Sequence, residues 1–233
     1  MPFDTVEISG RPTRLIPGDT SAATFMAGVY RWMFAGLLMT AGVAYYVASD
    51  PALVMQLMHW AIPLIILQLA LVFGLSFFAS RLSGAVAGVL FLAYSGLTGL
   101  TFSSLFLIYQ LGSLAQAFGL TAGVFGALSF YGTVTKRDLG PWRTFLMMGL
   151  FGVLGAGIIV MFTRSSALSF VMSCASVVVF AGLTAYDTQK LRQFHAAAGA
   201  EGGGSQTIVG ALMLYLDFVN IFLSLLRLFG KRR

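Results

Sequence analysis

Residues 208–228 read IVGALMLYLDFVNIFLSLLRL. Apart from Asp217, Asn220, Ser224 and Arg227, every position is apolar, aromatic or glycine. The run has the length of about 20 residues that a helix needs to cross a bilayer core. Working outward from it, six more such runs precede it, bounded by charges, glycine or proline: Phe25–Val47, Trp60–Phe78, Gly84–Ile108, Leu114–Val134, Phe145–Met161 and Ala167–Tyr186. A buried helix of a soluble core rarely runs so far without a charge, so seven in succession read as seven transmembrane helices. The fold class expected is an all-α integral membrane protein, a bundle of seven spans.

Composition agrees. Of 233 residues 58% are hydrophobic and 9% charged, against about a quarter charged in a soluble globular domain. So few charges cannot clothe a water-facing surface. The net charge is +6, yet no basic run is interleaved with aromatic residues, so the expected surroundings are a lipid bilayer and no nucleic acid. Cys174 is the single cysteine, which excludes an intrachain disulfide and a thiolate metal cluster.

Residues 1–24 contain acids, prolines and glycines but not the apolar core of a cleavable signal. They are expected to form a disordered cytoplasmic tail, followed by one transmembrane domain over 25–230 and a basic tail over 231–233. The glycine-rich stretch Ala198–Gly204 reads as a flexible link between the sixth and seventh spans. The chain holds 27 glycines, spread through the spans. Small residues let helix backbones approach closely in lipid, and tight packing is their reading here.

Cytoplasmic loops retain Lys and Arg. With seven spans and the N-terminus inside, Arg11, Arg14, Arg31, Arg81, Lys136, Arg137, Arg143, Lys190 and Arg192 are cytoplasmic, and Arg164, Arg227, Lys231, Arg232 and Arg233 are outside. The C-terminal cluster spoils this pattern. A last segment that dips in and returns, giving six spans plus a re-entrant piece, would leave only Arg164 outside.

Six of the eight acids, Asp4, Glu7, Asp19, Asp50, Asp138 and Glu201, fall in tails or loops. Asp187 ends the sixth apolar run and Asp217 lies inside the seventh. A carboxylate at the centre of a span costs about 2.5–3.5 kcal/mol on insertion scales, so both acids should face the bundle interior or water. Asp217, Asn220, Ser224 and Arg227 recur at helical spacing as one polar stripe. Ser173, Ser176, Thr184 and Asp187 form another on the sixth span.

If these two spans pack antiparallel, the carboxylates meet in the cytoplasmic half and hold one shared proton over part of the pH range. Losing it adds repulsion between two helices, which is a means of opening a path. Plainer readings stand beside this one. Asp187 can pair with Lys190 or Arg192, and Asp217 can pair with Arg31 or Arg81 or bond to Asn220. Arg81, at the end of the second span, serves either as a partner that locks the pair or as a topology-setting cation.

His59 and His195 lack a second ligand at metal-site spacing, and Trp32, Trp60 and Trp142 suit the aromatic belt. No phosphate loop, metalloprotease helix or nucleophile elbow occurs, so no enzyme activity is expected.

Several segments together resemble the transmembrane Bax inhibitor motif family, in its bacterial inner-membrane branch. They are Tyr30–Leu37 with Thr40–Ala41, Gly96–Thr101, Gly132–Leu139, and the two acid-bearing segments Gly182–Lys190 and Leu214–Asn220. The resemblance implies a seven-helix bundle with the last helix central and wrapped by the other six. It also implies a multi-pass inner (plasma) membrane protein that leaks calcium passively in a pH-sensitive way. By the same resemblance, a di-aspartyl sensor carries over onto Asp187 and Asp217, and a gating arginine onto Arg81.

Calcium wants six to eight oxygens. Two carboxylates with Asn220, Ser224 and backbone carbonyls offer only a weak, transient site, suited to a permeant ion rather than a bound cofactor. The expected function is therefore a proton-gated passive cation leak. The alternative is a non-conducting scaffold that binds other membrane proteins, such as a protease or its substrates.

Overall fold

The computed structural model describes residues 17–79, 81–163, 165–198 and 204–233, with side chains over 22–79, 81–163, 165–193 and 204–233. Within them the chain forms α1 (Pro17–Ala48), α2 (Pro51–His59), α3 (Ala61–Phe77), α4 (Gly84–Phe102), α5 (Leu105–Ile108), α6 (Leu111–Val134), α7 (Arg143–Thr163), α8 (Ser166–Ala198) and α9 (Gly204–Phe229). A single 3₁₀ turn, Gly140–Trp142, leads into α7. The expected all-α membrane bundle is what is found, with differences at element ends.

Six helical stretches are long and apolar enough to span a membrane, and a seventh is available if the bent pair α2 and α3 serves as one. The bend is 72° and has a local cause. Pro63 has no N–H to give, and its ring clashes with the carbonyl four residues back, at His59, so the helix breaks at Trp60. Asp50 starts α2 by accepting from the Ala52 and Leu53 amides, with Pro51 at the first helical position. α3 alone has 17 residues, about 25 Å, the short end of what crosses a bilayer. In contrast α9 runs unbroken from Gly204 to Phe229. The re-entrant alternative for the last segment thus has no break to rest on; the break lies between α2 and α3, at the start of the expected second span.

Two expected boundaries need correction. Helix α1 begins at Pro17, so residues 17–24 are helical rather than a disordered tail; residues 1–16 lie outside the described residues, as do Arg164 and Glu201. Pro is well suited to a first helical position, and a polar segment ends an apolar run without ending a helix. The same reason carries α8 on to Ala198, well past the apolar limit at Tyr186. Asp187 therefore sits within a helix and not at its end. The expected flexible link falls largely on 199–203, also outside the described residues.

The core is built around α9, which packs against α1, α4, α6 and α8 and touches α3. Its buried residues include Ala211, Leu212, Leu214, Tyr215, Asp217, Phe218 and Ile221, positions that go all the way round a helix, as in one enclosed on every side. Tyr215 is the anchor. Its ring meets Phe91 and Tyr94 edge-on at 5.7 and 5.8 Å, and its hydroxyl lies 2.6 Å from Thr40 Oγ1. Thr40 in turn donates toward the Ser95 carbonyl at 2.9 Å.

Helix α7 is the opposite case. It packs on α8, buries only Leu146, and presents Phe145, Met148, Phe151, Leu154, Ile158 and Phe162 outward. The last helix is central, as expected, but α7 flanks α8 on the outside of the bundle.

Candidate functional site

Helices α8 and α9 form an antiparallel pair, since Leu191 lies against Gly210 while Phe180 and Leu183 share an apolar cluster with Ile221 and Leu225. That register brings Asp187 and Asp217 to similar depth on two packed helices. Asp217 is 4% exposed, and its Oδ2 has no hydrogen-bond partner. Asp187 is half-buried and within the field of Lys190. Lys190 itself places its ammonium 5.6 Å from the centre of the Tyr186 ring.

Other expected partners are occupied elsewhere. The Asn220 amide donates to the Leu216 carbonyl at 2.7 Å, and the Ser224 hydroxyl donates to the Asn220 carbonyl at 2.7 Å. Arg31 is exposed and donates to Ala27 O at 3.3 Å. Arg81 is exposed in the turn between α3 and α4. Asn220 and Ser224 of the α9 stripe are thus bonded to their own helix, near one unsatisfied carboxylate oxygen. On α8, Ser173 and Thr184 likewise donate back to Ser169 O and Phe180 O.

A second polar set next to Asp187 is visible only in three dimensions. Thr188 Oγ1 lies 3.1 Å from Ser129 Oγ on α6, which also bonds the Tyr30 hydroxyl on α1. The available sequence signal was Gly132, three residues beyond Ser129, which lets α6 approach α8. A Cβ added at Gly132 would stand 2.4 Å from the Ala185 carbonyl oxygen. Below this contact, Gln189 clamps the α6–α7 loop, accepting from the Leu139 amide at 2.9 Å and donating to Arg137 O at 2.8 Å. Arg192 also reaches Thr133 O. The acid pair is therefore nearer the bundle end that carries Lys136, Arg137 and Arg143.

Chemically, a buried carboxylate oxygen without a donor is costly. For a metal, among the described residues no group of three or more His, Cys, Asp or Glu side chains gathers. His59 bonds Met55 O at 2.9 Å on an exposed turn, and the His195 side chain lies outside the described ones. Two carboxylates supply too few oxygens to hold a calcium ion for long.

Comparison with known proteins places the chain. The family described as inhibitor of apoptosis-promoting Bax1 matches residues 22–233. A protein of Deinococcus radiodurans is 50% identical over 211 residues, covering 90% of this chain and 91% of its own. The inner membrane protein YbhL of Escherichia coli is 48% identical over 230 residues, covering 96% of this chain and 98% of its own. A protein of Borreliella burgdorferi is 41% identical over 214 residues, covering 90% of this chain and 92% of its own. With a family match that runs through the whole helical bundle and relatives aligned nearly end to end, the chain belongs to the Bax inhibitor family of membrane proteins.

Proposed function

We propose that this chain is a pH-sensitive passive leak for cations, calcium foremost, gated by Asp187 and Asp217. The single observation that carries the reading is the Asp217 carboxylate, enclosed by the bundle with Oδ2 unpartnered, at the depth of Asp187 on the neighbouring helix. A purely structural acid in this position would be expected to have found a donor, because an unpaired buried carboxylate weakens the fold. Deprotonation of the pair drives α8 and α9 apart, and re-protonation lets them close. The permeant ion meets the carboxylates transiently and keeps most of its water. The distribution of Lys and Arg supports a cytoplasmic N-terminus, and the likeness to YbhL supports a bacterial inner membrane.

The test is calcium entry into liposomes carrying purified protein, from about pH 6 to pH 8, a range wide enough to titrate a coupled pair. Wild type should show pH-dependent flux, and Asp187→Asn and Asp217→Asn should each remove that dependence. Correctly folded protein that gives no flux above empty liposomes at any pH overturns the reading, and favours a scaffold that binds other membrane proteins, a membrane protease among them.

A further inference from the structure

At the end of the bundle remote from the α6–α7 loop, α1, α4, α5, α6 and α9 leave a partly open cleft of about 310 Å³. Leu37, Ala41, Phe106, Phe118 and Phe222 are among its walls. The one hydroxyl in the lining belongs to Thr40, which is already engaged with Gly36 O, Ser95 O and the Tyr215 hydroxyl. The cleft therefore offers nothing to water or to an ion. A dry apolar cavity of about half that volume takes up benzene, so an apolar guest has room here.

Residues 231–233 are held in place at the segment that joins α5 and α6. The Gln110 amide donates to Lys231 O at 3.1 Å, and the Arg233 amide donates to Ile108 O at 2.9 Å. The Lys231 amide donates to Ser113 Oγ at 3.1 Å. These bonds tie 231–233 to residues 108–113, whose neighbours Leu105, Phe106, Leu111 and Leu114 line the cleft. Gly230 permits the crossing: a Cβ there would stand 2.8 Å from the Tyr109 ring and 2.3 Å from Leu226 O. Lys231, Arg232 and Arg233 are all exposed, and Arg227 is exposed a turn earlier on α9. Three adjacent cations thus sit on a fixed strap tied to the segment that joins α5 and α6, two helices that wall the apolar slot.

We propose that this end of the bundle binds one anionic phospholipid, with an acyl chain in the cleft and its phosphate on Lys231, Arg232 and Arg233. An apolar cleft selects a hydrocarbon chain, and a cluster of adjacent cations at the membrane boundary selects a negative headgroup. The occupant lies along Phe218, Val219 and Phe222, the turn that follows Asp217, so it braces the central helix.

The test uses the full chain purified in detergent, with phosphatidylglycerol or phosphatidylcholine added. Thermal unfolding and native mass spectrometry of retained lipid are the readouts. Wild type should retain phosphatidylglycerol in preference to phosphatidylcholine and unfold at a higher temperature with it. The triple variant Lys231→Gln, Arg232→Gln, Arg233→Gln should lose that preference by about fivefold or more. Ala115→Phe, which fills the cleft, should reduce retention of both lipids. Lys136→Gln with Arg137→Gln, at the opposite end, should keep the preference. An undiminished preference in the triple variant overturns the proposal, as does an equal loss in the Lys136 and Arg137 variant, which would mean bulk charge attraction only.

Discussion

Gly132 on α6 approaches Ala185 on α8 so closely that an added Cβ would stand 2.4 Å from the Ala185 carbonyl oxygen. No flexible side chain is there to yield; the obstacle is backbone. The contact lies two residues from Asp187, so the spacing of α6 and α8 and the placement of the acid are one geometric fact.

Gly132→Val should therefore cost about 1–3 kcal/mol through forced separation of two helices. The control is Gly126→Ala on the same helix, where nothing lies within 4 Å of the added atom; it should be neutral or gain up to about 1 kcal/mol from helix propensity. Thermal unfolding in detergent reads both. Equal effects would mean that the close approach does not matter.

Tyr215→Phe removes the hydroxyl that Thr40 faces but keeps the ring between Phe91 and Tyr94. Thr40 retains its bond to Ser95 O, so the loss should be modest, about 0.6–1.5 kcal/mol. Tyr215→Ala empties the centre of the bundle and should cost about 3–5 kcal/mol. A ratio near one between the two would show that the hydroxyl, not the ring, anchors α9.

Asp217→Asn replaces a carboxylate whose Oδ2 has no donor by a neutral group of the same shape. Unfolding at neutral pH should then show equal or greater stability than wild type. A loss of several kcal/mol would mean that the carboxylate is held by a partner and is structural.

Gln189→Leu breaks both bonds from α8 to the α6–α7 loop. The loop should open locally while the bundle stays folded. Limited trypsin digestion at the exposed Lys136 and Arg137 should speed up several-fold, and the thermal midpoint should fall by far less than for Gly132→Val. Unchanged digestion would mean that the clamp is redundant.

Helix α9 has no break, whereas α2 and α3 meet at 72°. If α3 crosses the membrane, reporters fused at the two termini fall on opposite sides. Reporters on the same side would mean that α2 and α3 dip in and return, leaving six crossings.

The number of apolar spans, the fold class and the two acids out of place in lipid are legible in the sequence. A run of about 20 apolar residues matches the thickness of a bilayer core, and a carboxylate within such a run is costly enough to stand out. The bend at Trp60 is signalled by Pro63, but it falls at the start of the expected second span, and α2 before it lies outside every expected span. Asp187 reads as a helix-end residue by the same measure and is not one, since hydropathy marks where lipid ends and not where a helix does. The network of Tyr30, Ser129 and Thr188 comes from three different helices, and the binding of 231–233 to 108–113 joins residues about 120 positions apart.

What the sequence by itself determined is which segments leave water. What only the tertiary structure decided is which of them leave lipid. Helices α7 and α9 are both apolar enough to cross a membrane, yet 6% of the spanning stretch is buried in one and 67% in the other. In water an apolar face is driven inward and leaves a periodic trace. Lipid tails are as apolar as leucine, so no such force separates inside from outside. Packing alone selects the central helix, through small residues such as Gly132, the edge-on rings around Tyr215, and the polar groups that must find one another.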